Sequence, residues 1–596
     1  MNKGGRPQDP IWQFFIKLDN DSKVKCTTCG SAISAKIERL RNHHAKCPLV
    51  PSTEGELQVP QQINDTEPSA STAHLNLLTA VQPDTTPSPC TLSSFEQSTE
   101  PLAVKKPKLQ QPQMTDFTVV TDNKMKQQID EQIARFFYAC NIAFAVAEQH
   151  EFKQLMLLLR PGYKPPNRKA IGGPLLDKVH ESVHEVTARN LKDKPVTLIQ
   201  DGWSDIHNCP VIAHCIHTGS KAYFLSSEEA GAHKKTSDYC AELAKKAMAE
   251  AAEKYGCHVT AVVTDNEKKM LKMREMLHTK DESLIVYGCA SHWLNLLGQD
   301  ITQNQVVNQI VEINKYFRNH HAAGSLLDEK QGSVKPQLPG DTRWNSQLDC
   351  IQTYLTNRPL MVLIVAEQDD PHSVIDARIV QLINNVGLLN EAKSLHAQLQ
   401  PVANALDRLQ SDNATIADAC EEWLSLLRSD ALKPHFRTVM KRFKEAVTDN
   451  HFLANLLHPK YKGKHLSEVD EEAARQLLLK LHPENPEVIA DLCAFTAGSD
   501  PFPASLLSSA CVDRMSPVLW WTSVSNCKCK VSPLLISTAL KLLHLPSSSA
   551  AMEQVFSNFG LVQSKLRNQL GLEKAAKLVT CYRQLRGNVE LDWNLK

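Results

Sequence analysis

Apolar residues change their period several times along the chain, and each change marks a new part. Over residues 125–150, Ile129, Ile133, Phe136, Phe137, Cys140, Ile142 and Phe144 recur mostly at helical spacing, and 152–159 adds a second apolar helix. From Pro195 the pattern shifts to short, largely apolar runs, and strands are predicted over 196–199, 211–216 and 222–225. A helix over 237–255 carries Leu243, Ala244, Met248 and Ala251 on one side. A fourth strand at 259–263, a helix at 270–277 and a fifth strand at 284–287 follow, leading into another helix.

Between residues 303 and 500 strand signals almost vanish. Helical stripes such as Val306, Ile310, Ile313 and Phe317 predict a large helical block. The last section, 532–585, holds further helices interrupted at Pro546 and Ser547–Ser549, which suit a helix stop and a new N-cap. By contrast, 51–113 is rich in Pro, Ser, Thr and Gln without apolar period and reads as a disordered linker. Near its end Lys105, Lys106, Pro107 and Lys108 form a basic cluster, either a nuclear import signal or a solvated linker segment. The order βββαβαβ before the helical block is that of a ribonuclease H-like fold.

At 596 residues the chain exceeds one hydrophobic core, and three to five domains are expected. No uninterrupted apolar run reaches the roughly 18 residues of a membrane span. The polar start, without a signal-peptide stretch, leads us to expect a reducing cytosolic or nuclear location, so the 17 cysteines should be mostly thiols. Lys plus Arg and Asp plus Glu both number 66, so bulk charge gives no argument for nucleic acid and any such argument is local.

One local argument lies near the start. Cys26 and Cys29 form a C-x2-C pair, followed by His43 and, after three residues, Cys47. Zinc takes four N or S ligands in a tetrahedron. A C-x2-C turn presents two thiolates, and an i, i+4 pair on a helix, expected over 33–45 with Leu40 inward, presents two more donors. His44 is an alternative to His43, but i, i+4 geometry favours His43. So short a segment needs such a staple to fold. With Trp12, Phe15 and Leu40 these ligands resemble the pattern of BED-type zinc fingers, which implies binding of double-stranded DNA. Lys3, Arg6, Lys17, Lys23, Lys25, Lys36, Arg39, Arg41 and Lys46 bias the segment positive.

The second argument concerns acids at strand ends. The strand at 196–199 runs into Asp201, and that at 259–263 into Asp265. Acids on neighbouring strand ends can share metal ions, as phosphodiester cleavage requires, although a lone strand-terminal Asp more often caps a turn. Around them, Asp201-Gly202-Trp203-Ser204, Val263-Thr264-Asp265-Asn266, Cys289 with His292, Leu294 and Asn295, then Thr342-Arg343-Trp344-Asn345-Ser346, and finally Pro533 through Glu553, Phe556 and Ser557 match, in order, the motifs of hAT-superfamily transposases. The chain resembles that superfamily from about residue 10 to 585, apart from the linker. On the bare sequence Glu553 flanks the stripe of Met552, Val555, Phe556 and Phe559 and equally suits a solvated helix position. The resemblance makes it the third catalytic acid, with Asp201 and Asp265, holding magnesium or manganese. It also implies that Trp344, Arg343 and His292 contact DNA, with packing the alternative for Trp344 and His292. Gln554 stands where the family usually has arginine, and Glu267–Lys269 replace smaller residues.

The expected fold is therefore a multidomain α+β chain: a small zinc finger, then a ribonuclease H-like α/β core interrupted by a large all-helical insertion. The expected boundaries are 1–50 for the finger, 51–115 for the linker and 116–194 for a helical dimerisation and DNA-binding domain. The first part of the core should occupy 195–302, the helical insertion 303–500, and the rest of the core with the C-terminal dimerisation region 501–596. Two functions follow: a nuclear transposase, acting as a homodimer or larger homo-oligomer that cuts and joins DNA, or a transposase-derived zinc-finger regulator of transcription or chromatin. Leu570, Leu572, Leu578, Val579 and Leu585 suit either self-association or core packing.

Overall fold

The computed structural model describes residues 14–17, 23–34, 40, 43, 47, 121–204, 208–230, 236–340, 345–367, 375–527, 529–563 and 570–587. Residues Met1–Lys108 and Leu109–Lys596 form two compact units. The architecture is mixed α/β and mostly helical.

In the first unit, β1 (Phe15–Lys17), β2 (Lys23–Cys26) and β3 (Ala32–Ser34) form an antiparallel sheet in that order. Ile33 lies in β3 opposite Val24, which corrects the helix expected to start there: a β-branched pair across two short strands favours the sheet. Leu40 and His43 are helical, and Leu40 is buried with Phe15, Val24, Cys26 and Cys47. The rest of the expected finger helix, and Trp12, lie outside the described residues, as does the linker.

The second unit is built on a five-stranded sheet. Its strands are β4 (Pro195–Ser204), β5 (Pro210–His217), β6 (Ala222–Glu229), β7 (His258–Thr264) and β8 (Ile285–Gly288), in the order β6-β5-β4-β7-β8. β4, β5 and β6 are antiparallel neighbours, and β7 and β8 run parallel to β4. A tight turn at Gly219, whose φ is +87°, joins β5 to β6, whereas parallel pairing needs the helices Ser237–Tyr255 and Lys268–Lys280 as crossovers. Alternation sorts the side chains between two faces. Val196, Leu198, Ile212, Ile216 and Val262 pack under those two helices, while Ile199, Ala213, Cys215, Phe224, Ala261 and Val263 face the other way.

That other face belongs to an apolar cluster running from Ile133 to Cys581. From Asn304 to Ala497 the described residues hold helices and no strand of the sheet, as expected. Helix Val386–Leu409 packs against both Ala290–Ile301 and Asn345–Glu367, joining the helical block to the sheet's edge. Trp423, Trp520 and Trp521 are fully buried, and the indole N–H groups of Trp520 and Trp521 donate to the carbonyls of Leu506 and Leu457 at 2.7 and 2.8 Å.

Two local expectations change. The helix expected over 125–150 stops at Ala139, because Asn141 takes a left-handed φ of +51°. A 3-10 turn (Phe144–Glu148) and a second helix (His150–Leu159) follow. The final helix, Leu572–Gly587, packs on Asn123–Ala139, Pro174–Leu191, Ala550–Val562 and β6 of its own chain. Leu578 and Val579 are therefore buried core residues, and Leu570, Leu572 and Leu585 pack against the same core. Among the described residues no helix is long and apolar enough to cross a membrane.

Candidate functional sites

In the first unit the chain turns sharply after β2. The Cys26 N–H donates to the Ser31 carbonyl, and the Gly30 N–H to that of Cys26, with Gly30 at a φ of +73° that favours glycine. This turn and the helical His43 gather the ligand atoms of Cys26, Cys29, His43 and Cys47 within 4.8 Å of one another, with Cys29 Sγ 3.1 Å from His43 Nε2. Around an ion bonded at roughly 2.0–2.3 Å, tetrahedral ligands sit between 3 and 4 Å apart, roughly, so the group can hold zinc. The Cys29 sulfur and the Ser31 hydroxyl are hydrogen-bonded at 3.2 Å, and this contact is the main cause holding the thiol down to about 6. Burial opposes ionisation of Cys26, but the N–H groups of Cys29 and Thr28 outweigh it and lower that thiol too. Two thiols poised to ionise supply the anionic ligands that zinc takes. His44, the alternative ligand, lies outside the described residues.

In the second unit the register of the sheet brings two acids side by side. β4 and β7 pair in parallel as far as Gln200 opposite Thr264, so Asp201 and Asp265 occupy equivalent positions one residue on. By alternation Asp201 continues the face of Ile199 and Asp265 that of Val263, the face turned toward the helical block. Beyond β8, Cys289 leads into helix Ala290–Ile301, which carries His292 and Asn295. Its N–H donates to the Thr264 carbonyl at 2.9 Å, which keeps the start of that helix beside Asp265.

Glu553 reaches the same place from far along the chain. It sits in the first turn of helix Ala550–Val562, and the segment before that helix is buried and tightly bonded. The Tyr287 hydroxyl donates to the Pro546 carbonyl at 2.8 Å, the Ala290 N–H to that of Ser547 at 3.1 Å, and the Ser549 N–H to the Cys289 sulfur at 3.3 Å. Ser547 and Ser548 donate in turn to the Leu409 carbonyl at 2.8 and 2.9 Å. The helix itself is pinned to β4 by aromatic packing, with Trp203 4.6 Å from Phe556 and 5.0 Å from Phe559 between ring centroids.

Asp201, Asp265, His292 and Glu553 line one cavity of about 420 Å³, whose further walls include Asp349 and Asp407 from the helical block. Among the described lining residues none is Lys or Arg. Asp201 is pushed up to about 7, first by burial and then by the charges of Asp265 and Glu553, although the Gly202 N–H donates to it at 2.7 Å. Burial also raises Asp265, with Glu267 adding to it, and burial holds His292 below its ordinary value. So many oxygen acids around one space suit a hard divalent cation such as magnesium or manganese. Their oxygens are spread more widely than the thiol cluster: among the described residues only the Cys/His group gathers three or more donors within 4.8 Å. Arg343 and Trp344 lie outside the described residues, while Ser346 and Asp349 just beyond them line the cavity.

Sequence reasoning missed Arg274 as a support. Buried on helix Lys268–Lys280, it donates to the Thr264 hydroxyl at 2.5 Å, the Asp265 carbonyl at 2.6 Å and Asn266 Oδ1 at 3.3 Å. Asn266 donates to the Cys289 carbonyl at 2.9 Å, so one network fixes the turn that presents Asp265. Its only sequence signal is a cation within the apolar stripe of Met270, Met273 and Leu277. Gly288 completes the network by staying small, since a Cβ there would lie 1.9 Å from Asn266 Oδ1. Asp349 and Asp407 were also missed. Long-range packing of two helices brings them in, which no local pattern encodes.

Residues 166–316 match a family described as a domain of unknown function, DUF659. Residues 503–585 match another described as the hAT family C-terminal dimerisation region. No curated protein matches the chain.

Proposed function

Since these two matches indicate an hAT-family transposase-like protein, we propose that it cuts and joins double-stranded DNA in the nucleus as a homodimer or larger homo-oligomer. On this reading the five-stranded sheet is a ribonuclease H-like core and the helical block its insertion. One observation carries the proposal: Asp201, within β4, and Asp265, just past β7, stand side by side where the parallel pairing of those two strands ends, facing the cavity that Glu553 enters from a distant helix.

Asp201, Asp265 and Glu553 would hold magnesium or manganese, which supplies activation of the attacking hydroxyl and stabilisation of the departing oxygen in phosphodiester chemistry. The chain's own residues do the positioning. Arg274 and Asn266 fix the backbone that presents Asp265, and the Trp203–Phe556 stack fixes the helix that presents Glu553. His292, kept neutral by burial, offers a ring N–H to a phosphate oxygen without adding charge. The zinc-bound finger supplies recognition of duplex DNA, mostly through phosphate contacts, so specificity needs more than one copy. The C-terminal region supports self-association.

The test is direct. Purified protein is incubated with manganese and duplex DNA carrying terminal inverted repeats, beside an Asp201→Ala variant. Nicks and flanking hairpins from the wild type alone support the reading. An uncut substrate that is still bound through the finger overturns it and favours a DNA-binding regulator.

A further inference from the structure

Helix Pro174–Leu191 carries the sequence His180-Glu181-Ser182-Val183-His184 on the side of the unit where it meets helices Ser237–Tyr255 and Leu572–Gly587. Two histidines four apart share one helical face, and here their Nε2 atoms converge to 3.1 Å. A tetrahedral zinc ion bonded to nitrogen at about 2.0–2.1 Å would hold two such atoms roughly 3.3 Å apart, so the pair already stands close to ligand spacing. We propose that His180 and His184 form a second, solvent-open site for a transition-metal cation that prefers imidazole: zinc, copper or nickel.

Three surrounding features support the site. The Tyr255 hydroxyl lies 2.7 Å from His184 Nδ1, and its ring stacks on the imidazole with centroids 5.5 Å apart. An Nδ1–H donating to that oxygen leaves the lone pair on His184 Nε2, where it faces the hydrogen bond with His180 Nε2 that a metal would replace, as supporting groups around metal-bound histidines do. Burial keeps both rings uncharged at neutral pH, which is the ligating form. The pair opens on a cavity of about 530 Å³ that also holds Asp177, Glu181 and Glu185. Its two lysines are paired with acids, Lys254 with Glu250 at 2.8 Å and Lys577 with Asp177 at 2.8 Å.

The motif's spacing is shared with zinc peptidases, but this site lacks their closure. Among the described residues no third His, Cys or carboxylate donor joins the pair within 4.8 Å. Water from the open cavity would fill the remaining positions, so the site binds metal without assembling a peptidase centre.

Copper(II) bound by imidazole shows nitrogen splitting in its electron paramagnetic resonance signal, and the His180 and His184 variants separate this site from the finger, which has His43, and from the acidic cavity, which has His292. Full-length protein with zinc already in the finger is titrated with copper(II). We expect nitrogen splitting at the first equivalent, unchanged in Asp201→Ala. His180→Ala and His184→Ala should each weaken binding at least tenfold, and Tyr255→Phe about tenfold. Should an alanine variant lose its circular dichroism, His180→Asn or His184→Asn replaces it. A wild type without nitrogen splitting, or folded histidine variants with splitting and affinity unchanged, overturns the proposal.

Discussion

Replacing Asp201 by asparagine should make the protein more stable, and by an amount that depends on pH. An acid whose native pKa exceeds its ordinary value holds its proton more tightly when folded. Its ionisation therefore costs stability as pH rises from that ordinary value through the native one. For Asp201 the window runs from 3.8 to about 7, the main cause being burial and the next the facing charge of Asp265. A gap of about 3 pH units at 1.36 kcal/mol each sets a ceiling of about 4 kcal/mol, and relaxation around a half-buried group brings the expectation to about 2–4 kcal/mol. Asparagine keeps the acceptor for the Gly202 N–H but carries no charge. Thermal unfolding without divalent cations should show Asp201→Asn and wild type nearly equal at pH 4, diverging up to pH 8 with the variant higher by a few °C. Manganese should then raise the wild type more than the variant, since it binds the ionised form. A variant less stable than wild type at pH 8, or a difference that ignores pH, would refute the electrostatic reasoning.

Other substitutions test how the cavity is built. Trp203→Ala removes the stack on Phe556 and Phe559. It should cost about 2–3 kcal/mol in denaturant unfolding and lower DNA cleavage, with Trp203→Phe milder on both. Leu578→Ala should destabilise by about 2–3 kcal/mol while leaving the oligomer mass in light scattering unchanged, because Leu578 is buried in its own chain. Chelation of zinc, or Cys29→Ser, should unfold the first unit and abolish DNA binding in gel shifts while the circular dichroism of the larger unit persists.

Much of this was legible because the strands announce themselves. β4, β5 and β7 are rich in β-branched residues and β6 opens on the apolar run Ala222–Leu225, and a strand's period of two carries Asp201 and Asp265 onto one face once the register is known. The thiol spacing of Cys26 and Cys29 is equally local. What stayed hidden depends on distance or on one residue's backbone. Asn141 ends a helix whose apolar period continues past it. Ile33 fits a helix until Val24 is found opposite. Glu553 looks by local pattern like any solvated helix glutamate and is singled out by motif resemblance alone, whereas the bonds joining Tyr287, Ala290 and Cys289 to residues 546–549, with the Trp203 packing, bring it into the cavity of Asp201 and Asp265.

Those same bonds change how the helical block should be regarded. Along the sequence it separates β8 from the helix of Glu553 by more than two hundred residues and looks like an interruption. In the fold, the Ile416 N–H donates to the Leu545 carbonyl, Thr415 bridges to Pro546, and the Leu409 carbonyl accepts from both Ser547 and Ser548. The block thus grips the very segment that leads to Glu553, while β8 and its following helix hold that segment from the other side. It also supplies Asp349 and Asp407 to the cavity wall. An acid held between two such clamps depends on both for its position. The insertion is therefore part of the acidic cavity's support and wall rather than a bystander to it.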